Sequence, residues 1–126
     1  MYAIVEIQGQ QFKVEEGKKL GHRLSERKDI TAVFASADIL AAGIMAGLSE
    51  RGVRVPRDKS IVGFDDNYLA QLTIPGLTTV HQDADRKGML ATSMIMKQLQ
   101  HEALPEKTVV LPVRLVERGS VRNLSR

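Results

Sequence analysis

The chain has 126 residues, 26% of them charged and 43% hydrophobic, with a net charge of +3 and no cysteine. This length allows one domain with a modest core, and the lack of cysteine excludes disulfides, thiolate nucleophiles and cysteine-based zinc sites. The positive excess is small and the acidic residues are interspersed, so nucleic-acid binding has little support from composition. No apolar run reaches the length of a membrane span and no secretion signal is present, so we expect a cytoplasmic protein without membrane contacts.

The first 20 residues have the pattern of a β-hairpin. Residues 2–7 alternate as a strand does, Gly9-Gln10 can turn the chain, and Gln11–Val14 is predicted to form a second strand. A second turn is predicted at Glu15-Glu16-Gly17. An isolated hairpin is marginal in water, so this one must pair with a larger structure.

Residues 31–66 are predicted to form strand, helix and strand. Thr31–Ala35 and Ser60–Phe64 are short apolar runs, and the segment between them has helical periodicity up to Gly52, which suits the position just after a helix end. Strands that are apolar on both faces and joined by a helix favour parallel pairing in a covered sheet. The apolar positions of the helix are Leu40, Ile44 and Leu48.

Polar residues follow both of these strands. Ser36 is predicted to cap the helix, and Asp38 lies in its first turn, where the helix dipole favours a carboxylate. Ligands of parallel sheets bind outside the carboxyl ends of the strands, where Asp65 and Asp66 would also lie. Adjacent residues of an extended strand point to opposite faces, which favours a ligand contact plus a helix cap over a general acid/base pair.

The remaining elements complete an α/β pattern. Leu77–His81 is predicted as a third strand, Ala84–His101 as a long helix, and Val109–Val116 as a last strand that Pro112 places at a sheet edge. The long helix has an apolar stripe that we interpret as core. This stripe consists of Leu90, Met94, Ile95 and Leu99, with Met89 and Met96 beside it.

Four segments carry a resemblance: VFASADILAAG, LSERGVRVPRDKSIVGFDD, LTTVHQDADRKG and LPVRLVERGS. In this order they resemble the C-terminal part of a transcription regulator of the lactose/galactose repressor family. The match covers residues 21–126 and implies an effector-binding half-lobe: a partial periplasmic-binding-protein-like lobe with a mainly parallel sheet and flanking helices. The implied partner is a small-molecule effector, a sugar, bound weakly or not at all by one partial lobe. No helix-turn-helix segment is present, so no direct DNA binding is expected.

The resemblance also implies site residues. The aspartate after Gly-Phe binds the effector in the family, so Asp65 takes that role, and a carboxylate accepts two sugar hydroxyls well. Gln82 follows the third strand, where the family often places a polar contact; a surface hinge residue is the equal alternative. Ala37 departs from an asparagine that is frequent in the family, which leaves Asp38 as the remaining candidate there, with a local role at the helix N-terminus as the alternative.

Residues 1–20 are similar to the opening of bacterial large-subunit ribosomal protein twenty-one. Together the two resemblances indicate a chimera with a ribosomal-protein-like segment over 1–20 and the half-lobe over 21–126. An RNA-binding structural protein of the large ribosomal subunit is the alternative function, although Lys13, Lys18 and Lys19 are balanced by three glutamates in this segment, which makes RNA an unlikely partner.

No enzyme, cofactor or metal is expected. His22, His81 and His101 share no ligand spacing, and no nucleophile–base pattern or phosphate loop stands out. A homodimer is expected, because the resemblance places the helix from Ile39 to Leu48 and the Leu72–Leu77 segment against a partner subunit. In the resembled family the apolar stripe of the long helix would pack against the first lobe of the effector domain, and self-association would bury it here.

Overall fold

The computed structural model describes residues 11–125, which form one four-stranded sheet with four helices. Each strand but the last is followed by a helix, so the α/β class predicted from the sequence is confirmed. The elements in chain order are α1 (Val14–Glu26), β1 (Ala32–Phe34), α2 (Asp38–Glu50), β2 (Ser60–Asp65), α3 (Tyr68–Leu72), β3 (Thr78–Gln82), α4 (Ala84–Leu99) and β4 (Val113–Val116).

The sheet has the strand order β1-β2-β3-β4, with the first three strands parallel and β4 antiparallel to β3. The register places Ile61 opposite Val33, and Gly63 opposite Thr79. Because α2 and α3 return the chain to the starting edge of the sheet, the carboxyl ends of β1, β2 and β3 lie at the same edge. The last strand is shorter than predicted, since only Val113–Val116 pairs with β3.

The core lies between the sheet and α2. The predicted apolar stripe of α2 is buried, as are Ile61 of β2 and Leu77 just before β3. Gly52 has a φ of +72° two residues after α2, as its predicted place past the helix end requires. The predicted Ser36 cap is wrong: Ala37 occupies the cap position and supplies no side-chain bond.

Helices α1 and α2 cross at a contact made of glycines. Gly17 and Gly21 of α1 face Gly43 and Gly47 of α2 so closely that a Cβ on Gly47 would lie 2.2 Å from the carbonyl oxygen of Lys18. A Cβ on Gly21 would lie 2.4 Å from the carbonyl oxygen of Ile44. The two backbones therefore touch without side chains between them, which no larger residue allows.

This crossing corrects the hairpin prediction. The expected strand Gln11–Val14 and the turn Glu15-Glu16-Gly17 are wrong, because α1 begins at Val14 and continues to Glu26. This segment packs on α2 through residues that are buried at helical spacing: Gly17, Leu20, Gly21 and Leu24. Tertiary packing therefore outweighs the local turn signal. The predicted strand over residues 2–7 lies outside the described residues. The ribosomal-protein-like segment and the boundary at Leu20–Gly21 stay predictions, although one helix spans that boundary.

Helix α4 is present as predicted, over Ala84–Leu99, but its apolar stripe is not core. None of its residues is buried, and Met89 and Leu99 are 74% and 69% exposed. Helix α2 packs on α1 through Gly43 and Gly47, which leaves Ala46 exposed and Ile39 and Ala42 half-buried. The predicted contact of Ile39–Leu48 with a partner subunit stays a prediction. No helix within residues 11–125 is long and apolar enough to cross a membrane.

Candidate functional site

Two of the predicted site residues meet at the carboxyl edge of the sheet. Strand β2 ends at Asp65 and strand β3 ends at Gln82. The amide Nε2 of Gln82 donates a hydrogen bond of 2.6 Å to Oδ1 of Asp65. On its other side, Oε1 of Gln82 lies 3.5 Å from Nζ of Lys87 in the first turn of α4. The pair is half-buried, so it combines a fixed geometry with access from solvent.

The chain turns sharply between the two aspartates. Asp65 and Asp66 have φ values of 114° and 56°, in the left-handed region that aspartate tolerates better than most residues. The two carboxylates take different partners, although the backbone there is not the extended one on which the prediction rested. The predicted helix cap is wrong, because the side chain of Asn67 caps α3 by accepting from the backbone N–H of Leu69. Asp66 Oδ1 accepts from Nη2 of Arg118 at 2.6 Å, and its Oδ2 lies 2.9 Å from Nδ1 of His81.

Asp66 remains charged at neutral pH. Burial by itself raises its pKa, but the hydrogen bonds and positive charge supplied by Arg118 and His81 outweigh burial and lower the pKa below its usual value. Arg118 also donates from Nη1 to the carbonyl oxygen of Leu77 at 2.8 Å. The guanidinium thereby fixes the segment after β4 to the start of β3 and holds Asp66 beside the site.

Asp66 was predicted to lie at this edge, but its partners His81 and Arg118 were not. Arg118 lies in the LPVRLVERGS segment that carried part of the resemblance, so the segment was identified but its contact with Asp66 was not. The two residues are 52 positions apart, and no local pattern connects them.

Asp38 lies behind the site instead of at its surface. Its side chain is fully buried; Oδ1 accepts from the hydroxyl of Thr79 at 2.5 Å and Oδ2 accepts from the backbone N–H of Asn67 at 2.9 Å. Burial raises its pKa, partly opposed by these two hydrogen bonds and aided by the negative charges of Asp65 and Asp66. The carboxylate thus ties the start of α2 to β3 and to the loop after β2.

Gly63 makes room for this carboxylate. A Cβ at Gly63 would lie 2.3 Å from Oδ1 of Asp38 and 2.9 Å from the side chain of Leu77. The glycine in the middle of β2 is therefore required by the buried aspartate, and it positions Asp38 under the edge where Asp65 and Gln82 meet.

A small cavity of about 280 Å³ adjoins Gln82. One side is polar, formed by Gln82, Asp83 and Lys87, and the other is the apolar segment 109–113 that precedes and enters β4. A polar corner against an apolar wall suits a compact ligand with hydroxyl groups on one side. Within residues 11–125, no group of three side chains has the arrangement of a metal site.

The fold has counterparts among known proteins. The family model for periplasmic binding protein-like domains matches residues 3–121, and the chain belongs to this family. A curated relative, the HTH-type transcriptional repressor PurR of Photorhabdus laumondii, is 39% identical over 116 residues, which are 91% of this chain and 34% of the relative. The chain thus spans about a third of the length of the curated relatives it matches.

Two solved structures extend the comparison. A LacI family transcriptional regulator from Enterococcus faecium with bound ribose is 33% identical, with a TM-score of 0.77 over 91% of this chain and 43% of that protein. The lac repressor dimer bound to operator and an anti-inducer is 30% identical, with the same TM-score over 86% of this chain and 38% of the repressor. The chain is therefore homologous to the effector-binding part of LacI- and PurR-type repressors.

Proposed function

We propose that this chain forms one wall of a sugar-binding effector site in a transcription regulator, with Asp65 and Gln82 as the polar contacts. The observation that carries the proposal is their direct hydrogen bond at the carboxyl edge of the sheet. A parallel sheet offers ligands this edge in preference to any other surface. The ribose bound to the Enterococcus faecium relative supports a sugar as the ligand class.

The chemistry of the pair suits neighbouring hydroxyls. Oδ1 of Asp65 already accepts from Gln82, while Oδ2 has no hydrogen-bond partner within residues 11–125 and can accept from an incoming hydroxyl. The amide of Gln82 retains one further N–H. Because Gln82 holds the carboxylate in place, little side-chain freedom is lost when a ligand binds.

Asp38 takes a positioning role in this proposal. Its two oxygens accept from Thr79 and Asn67, and the residue is fully buried, so it is not accessible to a ligand. By fixing the loop that follows Asp65 to α2, it determines where the Asp65 carboxylate points. Its negative charge also adds to that of Asp65 and Asp66, which favours neutral hydroxyl ligands over anions at this edge.

Replacing Asp65 by alanine is expected to weaken sugar binding by about 10- to 100-fold, because a hydrogen bond to a charged group contributes roughly 1.5–3 kcal/mol. Calorimetric titration with ribose, sucrose and cellobiose measures this loss. The chain spans one wall of the site, so binding is expected to be weak and high sugar concentrations are needed.

The matched control for this titration is Glu102→Ala, which removes an exposed carboxylate beyond the end of α4. Its affinity should equal that of the unchanged chain. If Asp65→Ala binds a sugar as tightly as Glu102→Ala, Asp65 is not a ligand contact and the proposed site is wrong.

We further propose that the chain self-associates. Tyr68, Leu72 and Ile74 are 72%, 57% and 96% exposed, and the lac repressor relative forms a dimer. Each such side chain gains roughly 1.5–3 kcal/mol on full burial. Light scattering coupled to size exclusion should give about twice 13.9 kDa at high concentration.

The substitution Ile74→Ser should shift this equilibrium toward the monomer, while Leu124→Ser, at another exposed apolar residue near the C-terminus, should not. A mass near 13.9 kDa for the unchanged chain at every concentration contradicts self-association.

A further inference from the structure

A larger cavity lies at the opposite edge of the sheet. It measures about 540 Å³ and is built where α1 and α2 end and where β1 and β2 begin. Strand β2 runs from this edge at Ser60 to the candidate effector edge at Asp65, a distance of roughly 16 Å at 3.3 Å per residue. The two cavities share no lining residue, so this one is a separate feature of the fold.

The lining of the cavity is strongly cationic. Its charged side chains give a local surplus of four positive charges, larger than the +3 of the whole chain. The single carboxylate is already engaged, because Oδ2 of Asp58 accepts from the backbone N–H of Arg54 at 2.9 Å and from its Nε at 3.1 Å. The charged lining residues are Lys28, Arg51, Arg57, Asp58, Lys59 and Arg122.

Four of these cations have no ionic partner in the described part of the chain. The ion pairs between residues 11 and 125 involve other lysines, arginines and histidines, and leave Lys28, Arg51, Arg57 and Arg122 without a carboxylate within 4 Å. Three arginines around one concave surface present several guanidinium forks, the geometry that binds oxyanions in pairs of hydrogen bonds.

Lys59 is the buried cation of the cavity lining. It is only 4% exposed, and its Nζ donates to the carbonyl oxygens of Arg27, at 2.7 Å, and Ile30. These two bonds leave the third N–H of the ammonium without a partner within residues 11–125. Burial and the nearby charge of Lys28 lower the pKa of Lys59, and an anion in the cavity would oppose both effects.

Helix ends explain only part of this charge. Each helix C-terminus behaves as about half a negative charge, so the ends of α1 and α2 together offset roughly one of the four surplus positive charges. About three positive charges remain without a local counterpart. A single exposed cation would need no explanation, but several that converge on a buried ammonium and a cavity form a binding surface.

We propose that this cavity binds a compact small molecule that carries at least two phosphate groups. A single phosphate neutralises less than the remaining charge, whereas linked phosphates match both the surplus and the number of guanidinium forks. The volume lies in the range of small-molecule pockets, which favours such a ligand over an extended polyanion. The proposal is independent of the sugar site, because it uses none of that site's residues.

The test uses the unchanged full chain with inorganic pyrophosphate as the probe and inorganic phosphate as the comparison, by calorimetry at low salt. Pyrophosphate should bind at least about tenfold more tightly than phosphate, since a second group adds further charge-assisted hydrogen bonds. Arg57→Gln and Arg122→Gln each remove one unpaired cation without touching Lys59, whose loss could unfold the chain. Each should weaken pyrophosphate binding by about fivefold or more.

The control is Arg86→Gln, which removes the same charge from the exposed first turns of α4, at the other edge of the sheet. It should change pyrophosphate affinity by less than about twofold. Equal losses in all three variants, or no pyrophosphate binding up to about 10 mM, overturn the proposal. A short DNA duplex that binds more tightly than pyrophosphate also overturns it, because the surface then serves a nucleic-acid backbone.

Discussion

Replacing Gly47 by alanine is expected to destabilise the protein by about 2–3 kcal/mol. The added Cβ would lie 2.2 Å from the carbonyl oxygen of Lys18 and 3.0 Å from its carbonyl carbon. Both are backbone atoms within α1, so no side-chain rotation relieves the clash and the helices must move apart. Overpacking of this kind costs roughly 1–3 kcal/mol.

Thermal denaturation followed by circular dichroism measures this loss. At about 3–4 °C per kcal/mol for a chain of this length, the melting temperature should fall by roughly 6–12 °C. The control is Gly88→Ala in α4, where an added Cβ meets nothing within 4 Å. That substitution should leave stability unchanged or raise it by up to about 1 kcal/mol, because alanine favours the helix.

The comparison also tests the place of α1. If Gly47→Ala and Gly88→Ala have the same melting temperature, residues 14–26 do not pack on α2 as described. The hairpin that the sequence predicts would then be the better description of residues 11–17. A selective loss in Gly47→Ala shows that this segment is part of the lobe.

Replacing Arg118 by methionine is expected to cost about 2–4 kcal/mol at neutral pH. Methionine lacks the guanidinium and leaves His81 as the remaining partner of Asp66, whose side chain is 10% exposed. It also leaves the carbonyl oxygen of Leu77 without the donor that Arg118 supplies. Removal of one partner of a buried ion pair is costly because the other charge stays in a poor environment. Urea denaturation of both proteins at pH 7 gives the difference.

The loss should depend on pH in a defined direction. Asp66 has a folded-state pKa below its unfolded value, so its contribution is present above about pH 3.8 and is lost as the pH falls through the lower folded value. Without Arg118 that contribution shrinks, and the two proteins should approach each other in stability as the pH falls below about 3.8. Asp38, with its raised pKa, acts in the opposite direction but equally in both proteins.

Arg114→Met is the matched control for this series, because Arg114 is an exposed arginine of β4 without an ion-pair partner in residues 11–125. Its stability should follow that of the unchanged chain across the pH range. A gap between Arg118→Met and the unchanged chain that stays constant from pH 7 to pH 3 contradicts the role assigned to the Asp66–Arg118 pair.

Most of the sheet was predictable, because short apolar runs, helical periodicity and Gly52 are local signals. Helix α1 was not, since Gly17 and Gly21 each disfavour an isolated helix by roughly 1 kcal/mol. They stabilise this one only through Gly43 and Gly47, each of which lies 26 positions after the glycine that it faces. Local patterns therefore pointed to a turn where the tertiary contact requires a helix.

The candidate site likewise has a part that the sequence predicts and a part that depends on distant contacts. The rule that parallel strands end at one edge predicts the position of Asp65. Gln82 was predicted only from the family resemblance, and its hydrogen bond to Asp65 was not predicted. The hydrogen bonds that Asp38 accepts were not predictable, because its partners Asn67 and Thr79 lie 29 and 41 residues away. Its position in a first helical turn suggested a ligand or a dipole contact, whereas burial and these distant donors make it a structural link.

The most direct test of the proposed function is to follow backbone amide shifts of the unchanged chain by NMR while ribose is added. The proposal predicts that the largest shift changes fall at the carboxyl edge, around Asp65 and Gln82, with smaller ones along segment 109–113. Residues at the opposite edge, such as Lys59 and Arg122, should stay unperturbed. Changes confined to that opposite edge, or spread evenly over the surface, would contradict a sugar site formed by Asp65 and Gln82.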